Sequence, residues 1–498
     1  MQLIVNRPEA SSAPREAAAG VAEHDAIAVN DPTRRDLYKK REQIYPKLVH
    51  GKFRFAKWVF MIFALGVYYL LPFVRWDRGP ESPSQAVLVD FANARFYFFF
   101  IELWPQEVYY ITGLLILASL ALFLVTALFG RVWCGYACPQ TVWTDLFIAV
   151  ERLFEGDRNR RMKLDKQPWS FNKAWRKGGK HTVWLLIAAA TGGAWILYFH
   201  DAFEVVNNFV TGQAALTSYI FFGVLTFTTY SLAGTLREQV CTYMCPWPRI
   251  QGALTDKDAL NVTYRTDRGE PRGRHKKGES WEGRGDCIDC KACVAACPMG
   301  IDIRQGAQLE CIGCALCIDA CDDIMAKIDR PKGLIAYDTD LNIERRERGE
   351  TARFDFIRPR TVLYAVLIVV VSGIMLFGLI NRTELSLDAY RDRAPNYVIL
   401  SDGTVRNGYT LTVVNKANES RVLDLELEGD PAFGVRVLGA DGLQLEVGPD
   451  QTRDFRIFLA LPRDAVDAPS ETIAFLVTDP ATGETARTAS AFQTGELR

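Results

Sequence analysis

The sequence predicts a multi-domain membrane protein that combines a helical membrane bundle, a small cysteine-rich domain and a C-terminal β-sandwich. Three observations lead to this fold class. Five apolar runs have the length of a membrane span, all twelve cysteines fall between 134 and 321, and an alternating pattern begins after about 381. The formal net charge of −1 is close to zero and points to no charged partner, so we expect no nucleic acid.

Five segments predict transmembrane helices. A helix needs roughly 20 apolar residues to cross the hydrocarbon core, and it satisfies its own backbone polar groups there. The runs lie near 58–74, 108–129, 182–199, 217–236 and 361–380. TGGA at 191–194 interrupts the third run. The aromatic segment 86–104 contains Asp90, Arg95 and Glu102, so we interpret it as an interfacial or re-entrant piece.

Basic residues near the span ends predict the orientation, because cytoplasmic loops are enriched in Lys and Arg. Residues 33–57 carry nine and loop 130–180 carries eleven, whereas loop 75–107 carries three and loop 200–216 none. These counts place the N-terminus and the cysteine-rich part in the cytoplasm, and the C-terminal domain outside. The chain would then be a multi-pass membrane protein.

We divide the chain into five regions, of which the first has no signal-peptide pattern. They are 1–32, a disordered cytoplasmic lead; 33–260, four transmembrane helices with two C-x3-C-P motifs; 261–345, a ferredoxin-like domain; 361–380, the fifth helix; and 381–498, the periplasmic immunoglobulin-like domain. Because the cytoplasm keeps thiols reduced, the cysteines favour metal ligation over disulfides.

The strongest motif is CIDCKACVAACP at 287–298, the C-x2-C-x2-C-x3-C-P run that holds a [4Fe–4S] cluster. CIGCALCIDAC at 311–321 repeats the spacing and predicts a second cluster with crossed ligation. The expected ligands are Cys287, Cys290, Cys293 and Cys321 for cluster one, and Cys311, Cys314, Cys317 and Cys297 for cluster two. The second run continues with Asp322 in place of the proline, which is not a ligand. Zinc is the alternative, since C-x2-C pairs also build zinc ribbons.

Two further cysteine pairs, in WCGYACPQ at 133–140 and VCTYMCPW at 240–247, follow the second and fourth spans. Positions i and i+4 share one face of a helix, and the following proline should kink or end that helix at the second cysteine. An internal repeat could bring the pairs together, so that the thiols of four cysteines face one site. The four candidates for copper binding and catalysis are Cys134, Cys138, Cys241 and Cys245.

The chemistry of these pairs leaves three interpretations. Soft thiolates select Cu(I), zinc or iron–sulfur centres, and a redox-active copper site makes more sense beside two electron carriers than inert zinc does. The pairs could also be buried small apolar residues. A third interpretation is a thiol–disulfide exchange pair.

Beyond residue 381, short segments of alternating pattern predict strands of an immunoglobulin-like sandwich without a disulfide. The predicted strands are 409–415, 421–429, 435–439, 443–447, 454–460 and 472–479. We expect this external domain to contact another protein.

Residues 33–498 resemble the FixG/CcoG/RdxA family of cytochrome c oxidase accessory proteins. The resemblance rests on CGYACPQTVWTD, CTYMCPWPRIQGALTD, the paired cluster runs, and DACDDIMAKIDRPKGLIAYDT at 319–339. It implies an inner-membrane protein that helps to assemble cbb3-type oxidase and reduces Cu(II) to Cu(I). The two C-x3-C-P motifs and the eight cluster cysteines match those of the family position for position, so the resemblance implies the same roles for them.

Three functional hypotheses follow. The first is a membrane-bound cupric reductase with two [4Fe–4S] clusters and copper. The second is a quinol-linked electron-transfer subunit of a membrane redox complex, and the third is a non-enzymatic scaffold for oxidase assembly. The expected partners are membrane lipid, oxidase subunits or a copper transporter or chaperone, and an unidentified cytoplasmic electron donor. The sequence leaves a homodimer open.

Overall fold

The computed structural model describes residues 16–18, 21–29, 43–79, 82–276, 278–417, 419–429, 431–439, 442–466 and 468–495. The chain divides into two compact units. The first comprises Met1–Val74 and Gln85–Gly373, and the second comprises Arg75–Ser84 and Ile374–Arg498.

The first unit contains the cysteines and is mostly helical. Its helices are α1 (Lys52–Leu70), α2 (Tyr109–Phe129), α3 (Val132–Tyr136), α4 (Pro139–Glu155), α5 (Arg158–Lys166), α6 (Phe171–Ile196), α7 (Ala202–Thr211), α8 (Leu216–Thr229), α9 (Trp247–Leu254), α10 (Thr266–Gly269), α11 (Ala292–Ala296), α12 (Leu316–Lys327) and α13 (Asp340–Glu347). Its strands are β1 (Glu16–Ala18), β2 (Val21–Ala22), β3 (Val87–Asp90), β4 (Arg95–Phe98), β5 (Ile101–Leu103), β6 (Asn261–Tyr264) and β7 (Ile335–Asp338). Helix α14 (Pro359–Ile380) runs from the first unit into the second.

The predicted disordered lead, 1–32, lies partly outside the described residues, but 21–29 pack on the cysteine-rich domain. Val21 is 2% exposed and shares a core with the first cysteine run. The backbone N–H of His24 donates to the carbonyl of Cys290 at 2.9 Å. The prediction of disorder is therefore wrong for 21–29, because apolar side chains there find a buried surface.

Four segments in the described part of the chain are long and apolar enough to cross a membrane. They are Lys52–Phe73, Pro105–Phe129, Leu216–Leu236 and Pro359–Ile380. These segments correspond to four of the five predicted spans. Segment 86–104 is not a span: it forms an antiparallel sheet in the order β3-β4-β5.

The third predicted span, 182–199, differs from the expectation because its helix, α6, is not apolar along its whole length. Lys173, Lys177 and Lys180 occupy the first part of α6. The helix nevertheless lies along α8, since a β-carbon at Gly192 would be 3.0 Å from the amide nitrogen of Thr226. Because of these lysines, α6 is not among the four segments that are apolar enough to cross a membrane.

The connections of the first unit still require α6 to return the chain across the bundle. The segments containing α2 and α8 both end at the cysteine-rich domain, where Arg131 and Cys241 contact the second cysteine run. The end of α6 lies instead beside the β3–β5 sheet, where the N–H of Val89 donates to the carbonyl of Tyr198 at 2.8 Å. Within the described residues, α6 therefore ends on the side of the β3–β5 sheet, opposite the end at which α2 and α8 meet the cysteine-rich domain.

The second unit is a sandwich of two antiparallel sheets, as predicted. Its strands are β8 (Leu385–Arg391), β9 (Val398–Ile399), β10 (Val405–Asn415), β11 (Arg421–Glu428), β12 (Gly434–Val437), β13 (Gln444–Val447), β14 (Gln451–Leu461), β15 (Ser470–Thr478) and β16 (Thr485–Gln493). One sheet has the order β12-β14-β10-β8, with β9 also on β10, and the other has the order β13-β11-β15-β16. Alternate side chains such as Tyr409, Leu411 and Phe475 fill the core between them.

Candidate functional site

The two cysteine runs fold into loops with the same backbone conformation. In the first loop Asp289 and Lys291 have φ of 55° and 57°, and in the second loop Gly313 and Ala315 have φ of 67° and 60°. Left-handed residues on both sides of the second cysteine curl each chain, so that successive thiols turn toward a common centre. Helices α11 and α12 then carry the third cysteine of each run.

The last cysteine of each run lies with the opposite loop. Cys321, on α12, neighbours Cys287, Cys290 and Cys293. Burial, and then these neighbouring thiols, raise the pKa of Cys321 well above its usual value. This is the grouping that crossed ligation of cluster one requires.

The second group surrounds a cavity of its own. Cys297, Cys311, Cys314 and Cys317 line it, together with Cys293 and apolar side chains such as Val262 and Ile301. The N–H of Gly313 approaches the Cys311 Sγ at 3.4 Å. Four thiols in an apolar cavity with a backbone N–H donor form a donor set suited to an iron–sulfur centre, so these residues fit the group.

The first C-x3-C-P motif ends one helix and begins the next. Cys134 lies on α3, and Cys138 precedes α4 in an extended conformation, with φ −61° and ψ 127°. Pro139 takes the first position of α4, where its missing N–H costs no hydrogen bond. The predicted helix break at the second cysteine is confirmed.

The second motif has a different backbone. A π-helical segment, Tyr230–Leu236, follows α8, and another, Val240–Met244, carries Cys241. Between them Arg237 adopts φ 40°, and its guanidinium lies 2.7 Å from the Glu151 carboxylate. Cys245 is again extended before a proline, with φ −80° and ψ 123°. Wide π-helical turns of this kind are frequent at functional sites.

The two pairs are neighbours, as the internal repeat predicted. Cys134 interacts with the thiols of Cys138, Cys241 and Cys245. Burial first, and then the neighbouring thiols, raise the pKa of Cys134 and of Cys241 to about 12. The Cys134 Sγ also donates to the Gln251 Oε1 at 3.3 Å. Burial thus favours the protonated form of the Cys134 and Cys241 thiols.

The first pair also contacts the loop of the second cluster. A β-carbon at Gly135 would lie 2.9 Å from the carbonyl oxygens of Ile312 and Gly313, so only glycine allows this approach. The Tyr136 hydroxyl donates to the Cys314 carbonyl at 3.4 Å. Helix α3, which carries Cys134, is therefore packed directly against the backbone that presents Cys314.

Arg131 connects both motifs with that loop. Its Nη1 donates to the carbonyl of Cys311 at 2.9 Å and to that of Leu309, while its Nη2 donates to the carbonyl of Pro248 at 3.1 Å. Arg131 precedes the first motif and Pro248 follows the second. One guanidinium thus fixes the relative position of the two motifs and the cluster loop.

A closed site for a single ion is not preformed. Among the residues that the structure describes, no three His, Cys, Asp or Glu side chains are placed to hold one metal ion. A [4Fe–4S] cluster needs no such grouping around a single ion, because each of its irons takes one thiolate. The four thiols of the motifs therefore form a neighbouring but open set.

Several contacts were not predicted from the sequence. Arg131, Gly135 and Gln251 lie within or beside the quoted motifs, but their partners are distant in the chain. Asp319 of α12 accepts from the backbone N–H groups of Phe53 and Arg54 at 3.3 and 2.7 Å and so caps the start of α1. A carboxylate near the start of a helix is a recognisable signal only when it is close in sequence.

Comparison with known proteins places this geometry in a family. "Nitrogen fixation protein FixG" from Rhizobium meliloti is 48% identical over 500 residues, which cover 94% of this chain and 95% of the relative. The chain belongs to the FixG family. "Protein RdxB" and "Protein RdxA" from Cereibacter sphaeroides are each 48% identical, over 87% and 90% of this chain and 92% of each relative.

Three family models match parts of the chain. A "4Fe-4S dicluster domain" matches residues 236–340, a "4Fe-4S binding domain" matches 111–160, and an "IG-like fold at C-terminal of FixG" matches 375–495. A FixG-related protein from Vibrio parahaemolyticus covers 23% of this chain and 99% of its own, at 24% identity and a TM-score of 0.21. This member of the FixG family is thus an iron–sulfur protein of the oxidoreductase type with a C-terminal immunoglobulin-like domain.

Proposed function

We propose that this protein is a membrane-bound cupric reductase that supplies Cu(I) for the assembly of a cbb3-type cytochrome c oxidase. The observation that carries the proposal is the position of four neighbouring thiols beside the loop of Cys311 and Cys314. Soft thiolates stabilise Cu(I) relative to harder ligands. The link to the oxidase comes from the family resemblance.

Bound [4Fe–4S] clusters supply one-electron transfer. The residues of the chain bind and orient the substrate. The four thiols would lose their protons as they bind copper, and each Cu(II) would take up one electron to become Cu(I). A low-potential one-electron donor of the ferredoxin or flavodoxin class supplies that electron and is itself oxidised. Arg131 and Gly135 keep the thiols at a fixed distance from the cluster loop.

The proposed location is the bacterial inner membrane, with the N-terminus and the cysteines in the cytoplasm and the β-sandwich in the periplasm. The asymmetry of basic residues supports this orientation. Cu(I) would pass to oxidase subunits or to a copper transporter or chaperone. Protease added to intact spheroplasts should remove only the β-sandwich; loss of the cysteine-rich domain under those conditions would reverse the orientation.

The test replaces all four motif cysteines by serine in the anaerobically purified full chain. The variant should keep roughly eight iron per chain, four for each of two clusters, and the visible absorbance of the clusters. Its reduction of Cu(II), followed with a chromophoric Cu(I) chelator, should fall to the uncatalysed rate. Unchanged copper reduction with intact clusters would refute the assignment of the four thiols.

Quinol-linked electron transfer is the second candidate, and one cavity lies where it would need a binding site. Gln140, Thr144, Arg237 and Cys241 line this cavity together with Ile312 of the cluster loop. Its volume of about 30 Å³ holds only one or two water molecules, so a quinol head group would bind there only after these side chains move apart. Rapid reduction of the clusters by a short-chain quinol, slowed in Gln140→Leu, would favour this candidate.

Thiol–disulfide exchange predicts a different product at the same residues. All twelve cysteines are free thiols in the structure. If exchange were the reaction, turnover would leave a disulfide within or between the motifs. Peptide mass spectrometry after copper turnover should instead find the four motif cysteines reduced.

A further inference from the structure

A cleft lies beside the second motif. Its lining includes Cys241, Tyr243, Met244, Cys245, Arg249 and Glu310. Neither cysteine of the first motif lines this cleft. Both cysteines of the second motif line it, so an ion that enters this cleft meets the second pair.

Met244 is the unusual residue of the cleft. Its side chain is 60% exposed, although methionine normally fills gaps in apolar cores. In CGYAC the equivalent position is Ala137, which carries no ligand atom. The thioether thus occurs in the motif that lines the cleft and is missing from the motif that packs its glycine on the cluster loop.

A thioether has specific value for a copper ion. It is a soft ligand that favours Cu(I), and it has no proton to lose on binding, in contrast to the two thiols. Two thiolates and one thioether can provide three sulfur ligands. A set of two cysteines and one methionine also agrees with the finding that, among the described residues, no three His, Cys, Asp or Glu side chains are placed to hold one ion.

We propose that Met244 forms, with Cys241 and Cys245, a three-sulfur copper site at the mouth of the cleft, where the ion enters and Cu(I) leaves. This inference rests on the proposed function, because it takes copper as the substrate. It assigns different tasks to the two motifs: the second receives and releases the ion, and the first holds it beside the cluster loop.

The test uses the full chain labelled with selenomethionine and loaded anaerobically with Cu(I) alone. X-ray absorption at the copper edge distinguishes a selenium neighbour from the sulfur of cysteine. A copper–selenium distance should be found in the unmodified sequence and lost in Met244→Leu, which keeps a similar side-chain volume. Met162→Leu, on α5 and outside the cleft, is the matched control and should retain the signal.

The affinity for Cu(I), measured by competition with a chelator, should fall about tenfold in Met244→Leu and not in Met162→Leu, a loss of about 1.4 kcal/mol. A copper–selenium signal that persists in Met244→Leu, or is missing from the unmodified sequence, would overturn the inference. Because Cu(I) is supplied directly, these outcomes do not depend on reduction. Failure to reduce Cu(II) with the selenium signal intact would instead refute the proposed function alone.

Discussion

The two C-x3-C-P motifs share their spacing and their proline but differ in their surroundings. The first lies on a short α-helix and presses Gly135 against the backbone of the cluster loop. The second lies on a π-helical turn and lines a cleft, with Thr242 at the position of Gly135. Equal spacing thus supports different local contacts: the first motif packs Gly135 on the backbone of Ile312 and Gly313, and the second lines a cleft together with Leu309 and Glu310.

The two motifs therefore repeat the spacing of their cysteines, but this repeat does not give them the same role. A glycine is needed only where another backbone comes within van der Waals distance. A methionine thioether serves as a ligand only where a soft metal ion such as Cu(I) binds. The following experiments test whether the two motifs differ in function as they differ in structure.

The largest effects should come from replacing each pair separately. Serine at Cys134 and Cys138 should lower kcat for copper reduction by about a hundredfold or more, since the ion is no longer held beside the cluster loop. Serine at Cys241 and Cys245 should chiefly raise KM for copper. Steady-state kinetics of both variants, with iron content as the control, measures the difference. Identical kinetic changes would mean that the motifs act as one unit.

Gly135→Ala should have the next largest effect. The new methyl group would meet the carbonyl oxygens of Ile312 and Gly313 at 2.9 Å, and overpacking of this kind costs about 1–3 kcal/mol. We expect a lower thermal midpoint and slower copper reduction. Gly178→Ala is the control, because a β-carbon there meets no atom within 4 Å. Equal effects of the two substitutions would show that the contact of Gly135 with the cluster loop contributes to neither stability nor copper reduction.

Arg131→Lys should weaken the connection between the motifs and the cluster loop. Lysine keeps the charge but lacks the planar fork that reaches three carbonyl groups at once. Each lost hydrogen bond to a charged donor costs about 1.5–3 kcal/mol when its partner stays buried. Iron should therefore be released to a chelator faster than from the unmodified protein. An unchanged release rate would show that the loop is held by other contacts.

The smallest effect concerns access to the thiols. In metal-free protein with reduced cysteines, Cys241 and Cys245 should be alkylated before Cys134 and Cys138, because the cleft is lined by the second pair. Peptide mass spectrometry at short reaction times gives the order. Earlier labelling of the first pair would contradict the proposed direction of copper entrance.

Much of the fold follows from local pattern. Alternation in the C-terminal region predicts most of the sandwich, and strands such as β10 and β15 overlap the predicted segments. The described strands β8 and β16 were missed, because TARTASAFQ in β16 alternates small polar and small apolar residues that give little contrast. The extent of a strand also depends on pairing with distant partners.

The site was predictable where ligand spacing carries the information, and not where contacts are distant in sequence. The cysteine runs indicate two groups of four thiols, and the structure brings those groups together. The contact of Gly135 with Gly313 joins residues far apart in the chain, and no local pattern encodes it. The same holds for Asp319, which caps α1 from another domain.

Rapid mixing of the reduced full-length protein with Cu(II) tests the central claim most directly. Cluster absorbance and the formation of Cu(I) are followed together in the unmodified chain and in the variant with serine at Cys134, Cys138, Cys241 and Cys245. We predict that clusters reoxidise in step with Cu(I) formation in the unmodified chain and remain reduced in the variant. Reoxidation of the variant at the unmodified rate would contradict electron transfer through the four thiols.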